Sequence, residues 1–223
     1  MVLYKDNKKI QDIAEYGIYY GNMPIKEVYK GSQLVYEYNS YIPNTIIIDT
    51  VQAASKMSFT HTLPKGVYKI SMIGTAGYTH SHFYVAWTYY HGSTGGIVEV
   101  EYYSDGITPI TFTIDPNATT SASGHTTLSV NENVIVQASG GADARGANGN
   151  SNTDIANIIS EDSNILNVIT NKVGLRGSTN TEKASEWEYN FADGYSGAGA
   201  SRTNNPNSYV SGAYRIQYLR ASK

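Results

Sequence analysis

The sequence predicts a mainly β protein: an antiparallel β-sandwich of jelly-roll type, with a small N-terminal β-hairpin module and one inserted helix. Its 223 residues include 20 tyrosines against 4 phenylalanines and 2 tryptophans. Tyrosine suits half-buried pleated surfaces, because its ring packs while its hydroxyl stays hydrated. The 21 glycines, together with many Ser, Thr and Asn residues, are typical of short strands joined by turns.

From residue 45 onward, short extended segments recur, each closed by turn residues. In one of them Val67, Lys69 and Ser71 alternate with Tyr68 and Ile70, as expected of a half-buried strand. Many short strands at such spacing predict an antiparallel sandwich or a barrel-like fold. Strands are predicted at 45–50, 56–63, 67–72, 97–103, 109–114, 127–130, 133–138 and 212–219.

One stretch departs from this pattern. Between Asp154 and Val173, apolar residues fall at helical spacing. Asp154 is suited to cap the start of a helix and Gly174 to end it, so we predict a helix here, flanked by Gly/Asn/Ser-rich loops. The apolar positions are Ile155, Ile158, Ile159, Ile165, Leu166, Ile169 and Val173.

The chain divides near residue 40 into two predicted domains, 1–40 and 41–223. Before the boundary, three eight-residue blocks (6–13, 21–28 and 31–38) align without gaps, and each opens with a turn pair and continues into an extended run. The last two are expected to form a hairpin around Lys30-Gly31-Ser32. About forty residues of hairpins cannot bury a full core alone. We therefore expect this module to dock on a larger assembly.

Composition and charge exclude several classes of protein. The absence of cysteine excludes a disulfide framework, thiolate metal sites and a cysteine nucleophile. A net charge of −3 without runs of like charge gives no signal for nucleic acid or an acidic membrane surface. No apolar run is long enough to span a bilayer, and the N-terminus lacks the apolar stretch of a secretory signal. We expect a soluble protein that is not exported by the general route and has neither nucleic-acid nor membrane partners.

No catalytic motif is recognisable, so we predict that the protein is not an enzyme. There is no Gly-x-Ser-x-Gly elbow with suitable His and Asp residues, and 92–96 lacks the Lys-Ser/Thr pair of a phosphate loop. Glu186 and Glu188 would be neighbours on one strand face, whereas a retaining glycosidase needs carboxyls about 5 Å apart across a cleft. We predict no catalytic residue, no cofactor and no metal.

One stretch, 78–91, concentrates aromatic and imidazole side chains and is the first candidate for ligand binding. His80 and His82 would share one face of a strand, but no further ligand signature accompanies them, so a metal site is the less favoured interpretation. In a regular strand Tyr84 and Trp87 would lie on opposite faces, so part of the set is expected in the core. The candidate binding residues are Tyr78, His80, His82, Tyr84, Trp87, Tyr89, Tyr90 and His91.

Two motifs resemble proteins of tailed bacteriophages. The run Ile25-Lys26-Glu27-Val28-Tyr29-Lys30-Gly31-Ser32 is similar to the short Ile-Lys-x-Val-Tyr-x-Gly-Ser modules of phage virion proteins. The pieces 66–77, 92–96, 138–142, 194–199 and 212–216 resemble the glycine-rich C-terminal domain of phage tail fibres and related adhesins. Where such domains carry a glycine run after the first strand, this chain has Thr75, Tyr78, Thr79, His80 and Ser81. The departure favours an ordinary β-sandwich core over stacked polyglycine helices.

The resemblance implies a structural virion component (a tail fibre, a tail-tip protein or a head-surface fibre or decoration protein) that contributes to adhesion. It would be made in the cytoplasm of the host bacterium and carried on the virion surface. The implied partners are other virion proteins, host-surface polysaccharide and further copies of the chain, a trimer being favoured. The alternative is a carbohydrate-binding module or glycan-degrading enzyme of a phage or bacterium. The residues expected to anchor the chain to the virion are Ile25, Val28, Tyr29, Gly31, Leu34 and Tyr36.

Overall fold

A computed structural model describes two parts of the chain at different levels of detail. Residues 43–53, 55–77, 93–116, 124–141, 156–175 and 211–221 are described in full. Elsewhere the backbone of twelve short strands is described. All statements about the fold refer to these residues.

Seven short strands occupy the N-terminal region and pair only with one another among the described strands, in three small antiparallel groups, β1-β2, β3-β4-β5 and β6-β7. In the last group Val28 lies opposite Tyr36 and Lys30 opposite Gln33. The predicted hairpin is therefore confirmed, whereas Ile25 and Gly31 lie outside the described residues. The strands are β1 (Leu3–Lys5), β2 (Lys8–Ile10), β3 (Asp12–Ile13), β4 (Gly17–Tyr20), β5 (Met23–Pro24), β6 (Glu27–Lys30) and β7 (Gln33–Glu37).

Fifteen further strands follow, and ten of them build two five-stranded antiparallel sheets. Those preceding the middle of the chain are β8 (Ile46–Gln52), β9 (Met57–His61), β10 (Gly66–Ile73), β11 (His80–Phe83), β12 (Trp87–Tyr90), β13 (Ile97–Ser104) and β14 (Ile110–Ile114). The remainder are β15 (Thr126–Val130), β16 (Asn133–Ala138), β17 (Ile158–Ile159), β18 (Ile165–Lys172), β19 (Thr179–Asn180), β20 (Asn190–Phe191), β21 (Tyr195–Ser196) and β22 (Ala213–Arg220). The first sheet has the order β18-β13-β10-β22-β8 and the second the order β17-β16-β15-β14-β9. All eight strands predicted between residues 45 and 219 are confirmed.

The two sheets share one hydrophobic core, and we call them together the two-sheet body. Alternate residues of β10, β13 and β22 face alternate residues of β14, β15 and β16 in a single buried cluster. At its centre the Phe112 ring of the second sheet stacks on the Tyr214 ring of the first, with centroids 4.0 Å apart. His61 Nε2 lies 2.7 Å from the Tyr214 hydroxyl, so this buried hydroxyl has a hydrogen-bond partner.

The helix predicted at 154–173 is wrong, because its described part forms β17, a turn and β18. Register shifts in the pairing of β18 with β13 place Ile165 opposite Tyr102 and Val168 opposite Val100. Each shift adds one residue to β18, so the residues opposite the core-facing Tyr102 and Val100 of β13 lie three apart instead of two. This spacing imitates a helical period. Val168, Ile169 and Thr170 are also β-branched, which favours a strand.

Candidate functional site at the loop-bearing end

The long connecting segments all leave and re-enter the two-sheet body at one end. Ile73 lies opposite both Ile97 and Ala213 in the first sheet, and Ile114 lies opposite Thr126 in the second. The Thr126 hydroxyl donates a 2.7 Å hydrogen bond to the Ile73 carbonyl, which joins these strand ends across the two sheets. Segments 78–92, 117–123, 142–155 and 176–210 begin and end beside them. We call this the loop-bearing end.

The opposite end has short connections and receives the chain from the N-terminal strands. Connections of two to five residues, such as 131–132 and 160–164, join consecutive strands there. The Asn44 amide donates to the Tyr218 carbonyl, and the Tyr218 amide donates to the Thr45 carbonyl, so residues 44 and 45 extend the sheet next to β22. The N-terminal strands therefore connect to the body at the end that lies away from the long loops.

Three extended segments at the loop-bearing end form a ring of backbone hydrogen bonds. We call residues 74–77, 93–96 and 139–141 the glycine layer. The Gly74 amide donates to the Gly96 carbonyl at 3.0 Å, and the Gly96 amide donates to the Ser139 carbonyl at 2.8 Å. The Gly141 amide closes the ring by donating to the Thr75 carbonyl at 2.7 Å. Each segment is thus bonded to both of the others.

The close approach of these backbones explains why glycine recurs here. A Cβ atom on Gly74 would overlap the Ser139 carbonyl, one on Gly95 the Gly74 carbonyl, and one on Gly141 the Ser93 carbonyl. Among the described glycines, positive φ angles occur at Gly66 and Gly106, which lie outside this layer. The layer therefore requires glycine because there is no room for a Cβ atom between its backbones, and not because of an unusual φ angle.

The glycine layer brings three of the glycine-rich pieces together. Its extended segments lie side by side at the strand ends of the two sheets, and the choice between an ordinary sandwich core and stacked polyglycine helices stays a prediction. The segments come from 66–77, 92–96 and 138–142, three of the pieces that carry the resemblance to glycine-rich phage domains. Each piece directly follows or precedes a strand. This position next to the strand ends is the sequence feature that could have predicted the glycine layer.

Two polar side chains stabilise the layer: Asn157, which the sequence analysis did not name, and Thr75, which it named only as a departure from the glycine-rich pattern. Asn157 Oδ1 accepts the Ser139 amide, while its Nδ2 donates to the carbonyls of Ile97 and Lys172. The buried Thr75 hydroxyl donates to the Asp115 carbonyl and accepts the Gly212 amide. These bonds tie the layer to strand ends of both sheets. The base of the loops is therefore a rigid, hydrogen-bonded platform.

A histidine adds a further contact. His125 Nδ1 accepts the Gly140 amide at 2.9 Å, so this nitrogen carries no proton. Burial lowers the pKa of His125, although the nearby Asp115 carboxylate acts in the opposite direction. The imidazole is therefore neutral at pH 7, and its Nδ1 remains able to accept the hydrogen bond from the Gly140 amide.

The predicted ligand-binding stretch forms a hairpin at this end, not one regular strand. His80 lies opposite Tyr90 and His82 opposite Thr88 in the β11-β12 pair, and β19 continues the group beyond β12. Because β11 and β12 are separate antiparallel strands, this stretch is not one regular strand; the expectation for Tyr84 and Trp87 assumed such a strand, and Tyr84 lies outside the described residues. Tyr78, Tyr84 and His91 lie outside the described residues, and for the others the backbone alone is described.

Buried titratable groups elsewhere in the body are engaged in structural contacts. Burial would raise the pKa of Glu99, but hydrogen bonds from Lys69, Thr170 and Ser71 outweigh it and lower the pKa. A carboxylate saturated in this way is a poor proton acceptor. Within the fully described ranges, no group of three His, Asp or Glu residues is placed to hold a metal ion. No helix in the described part of the chain is long and apolar enough to cross a membrane.

Comparison with known proteins adds no assignment. The chain matches no protein-family model and no curated protein sequence. The function is therefore argued from the geometry of the loop-bearing end and from the resemblance of its motifs.

Proposed function

We propose that this protein is a non-enzymatic component of a bacteriophage virion, carried on the virion surface, that binds the host surface through its loop-bearing end. It would serve as a tail fibre, a tail-tip protein or a head-surface fibre or decoration protein. One observation carries the proposal. Three of the five glycine-rich pieces that resemble phage adhesins meet in one layer, and four long segments start beside that layer.

The arrangement suits recognition, because binding residues are disproportionately found in loops held by a rigid scaffold. Segment 78–92, which holds the aromatic and imidazole cluster, directly follows Gly77 of the glycine layer. Aromatic rings stack on sugar rings, and asparagine amides match sugar hydroxyls. Host-surface polysaccharide is therefore the ligand that we propose.

The N-terminal module has the complementary role of attachment to the virion. Its described strands pair among themselves, and the chain enters the two-sheet body at the end opposite the loops. A small hairpin module with exposed strand edges can dock by strand addition, with complementary charge setting the register. Its partners would be other virion proteins.

The two-sheet body itself we interpret as a β-sandwich. Its shared core and the Phe112–Tyr214 stack support face-to-face packing of the sheets. Strands β14, β15, β16 and β17 are successive neighbours in the second sheet and form a meander, to which β9 adds beside β14. Jelly-roll connectivity stays a prediction.

Inhibition of phage adsorption tests the adhesive role. The purified full-length protein should occupy host receptors and reduce adsorption of the phage that encodes it. Tyr78→Ala and Tyr90→Ala should weaken this inhibition severalfold while leaving the melting temperature nearly unchanged. Tyr103→Ala, at the opposite end of β13, is the matched control and should inhibit as the wild type does.

Two results would count against the proposal. Equal loss of inhibition and of thermal stability in Tyr78→Ala and Tyr90→Ala would show that these tyrosines are packing residues. Release of reducing ends from host-surface polysaccharide would favour the alternative, a glycan-degrading enzyme.

A further inference from the structure

A row of buried apolar side chains lies on the face of the first sheet that points away from the core. In β10, Met72 belongs to the core cluster and Ile73 does not, so Ile73 points to the opposite, outer face. The same alternation places Ile97 of β13 and Ala213 of β22 on the outer face, directly beside Ile73. All three are at most 3% exposed. We call these three residues the outer row.

The polar side chains next to the outer row are also withdrawn from water. Ser71, two residues before Ile73 on the same face, is 3% exposed and donates a hydrogen bond to Glu99. The side chains of Glu99 and Arg215 are 13% and 14% exposed, and each is held in an ion pair, as buried charges must be. The second sheet cannot cover this face, because it packs against the other one.

One strand outside the two main sheets approaches the outer row. Strand β10 is bonded to β13 on one side and to β22 on the other, and its core face packs against the second sheet. Strand β20 nevertheless lies close to β10. Because the segment that contains β20 begins and ends at the loop-bearing end, the positions left to it are the outer face and the space beyond Ile73. The outer row lies where these two positions meet, so its burial and the proximity of β20 indicate the same contact.

The same segment, 176–210, also reaches the candidate binding hairpin. Its first strand, β19, pairs with β12, with Asn180 opposite Tyr89 and Thr179 opposite Tyr90. Residues 181–189 then lead to β20. One stretch of chain is therefore bonded to the β11-β12 hairpin through β19 and lies against the first sheet through β20.

We propose that β20 and the outer row clamp segment 176–210 to the first sheet, and that β19 thereby fixes the orientation of the β11-β12 hairpin. Ile73, Ile97 and Ala213 are then positioning residues, which act on the ligand site through β20 and β19 without touching the ligand. A hairpin held in this way loses less conformational freedom on binding, which increases affinity. The effect on ligand binding rests on the proposed function of the hairpin, whereas the clamp itself does not.

Double electron–electron resonance between two spin labels tests the clamp without a ligand. The chain has no cysteine, so Thr88→Cys in β12 and Val134→Cys, an exposed position in β16, can be labelled specifically. The labelled protein should give one narrow distance distribution. Ala213→Arg places a long charged side chain beneath β20 and should widen the distribution at least about twofold. Gln217→Arg, on the same face of β22 but farther from the loop-bearing end, is the matched control and should leave the width unchanged.

A second variant breaks the other attachment of the segment and decides the test if Ala213→Arg does not fold. Thr179→Pro combined with Asn180→Pro removes the amide donors of β19, which belongs to neither of the two main sheets. This variant should widen the distribution as Ala213→Arg does. Thr179→Ala combined with Asn180→Ala keeps both amides and should not.

Inhibition of phage adsorption by the same variants without labels separates this inference from the proposed function. Ala213→Arg and the double proline variant should inhibit severalfold less than the wild type, and the two controls should inhibit as the wild type does. Unchanged distance distributions in both variants would overturn the clamp, whether or not the wild type inhibits adsorption. Widened distributions with undiminished inhibition would overturn the positioning role alone. A wild type that does not inhibit would contradict the proposed function, and widened distributions would still establish the clamp.

Discussion

Replacement of Gly95 by alanine should lower the free energy of unfolding by about 3 kcal/mol or more. The new methyl group would overlap the Gly74 carbonyl. That carbonyl cannot move aside easily, because the Gly74 amide is bonded to Gly96 and the Gly96 amide to Ser139. Relief of the overlap therefore requires the ring of hydrogen bonds to open. Chemical denaturation of the purified variant measures the loss.

Gly106→Ala provides the control for this prediction. Gly106 has a φ of 88° and lies in the turn after β13, at the opposite end of the body. Alanine in this left-handed conformation should cost about 1–2 kcal/mol, and its Cβ would lie 3.1 Å from the Lys65 amide nitrogen, a tight contact but not the overlap that Gly95→Ala creates. If Gly95→Ala destabilises the protein no more than Gly106→Ala does, the backbones of the glycine layer are not packed as closely as described.

Removal of residues 1–40 should abolish incorporation into virions without unfolding the rest of the chain. In the described residues, β1 to β7 pair with none of the strands of the two main sheets. The first bonds to the body come from Asn44 and Thr45, which the 41–223 fragment retains. The fragment should melt within a few degrees of the full-length protein and be absent from virions assembled in its presence.

The reciprocal fusion completes this test. Residues 1–40 joined to an unrelated stable domain should be incorporated into virions, if necessary by folding on their partner. Aggregation of the 41–223 fragment, or a much lower melting temperature, would show instead that the N-terminal strands complete the body. The attachment role would then fail.

The strands of the body were predictable because burial on one face leaves a period of two in the sequence. In β10, Tyr68, Ile70 and Met72 face the core while Lys69 does not, and this alternation is visible in the sequence itself. The N-terminal hairpin was predictable for a local reason as well, since Gly31 and Ser32 mark its turn. Both the alternation and the turn pair are local: each lies within the strand or hairpin that it predicts.

The misassigned helix and the glycine layer depend on contacts between distant segments. The register shifts of β18 are defined by its pairing with β13, and they give the residues opposite the core-facing positions of β13 a spacing that resembles a helix. The layer joins Gly74, Gly96 and Gly141, which are far apart in the chain. No short window of sequence contains such a contact. Composition alone located the candidate binding stretch in the sequence. Its hairpin arrangement could not be predicted, because it depends on the pairing of β11 with β12.

Gold labelling of virions tests whether the chain is attached through its N-terminal module with the loop-bearing end facing outward. One label would be placed at the N-terminus and a second in segment 142–155, which leaves the body at the loop-bearing end. The distance of each label from the virion body would be measured in electron micrographs. The N-terminal label should lie against the virion and the loop label farther out. Unlabelled virions, or a loop label nearer to the virion than the N-terminal label, would rule out N-terminal attachment with an outward loop-bearing end.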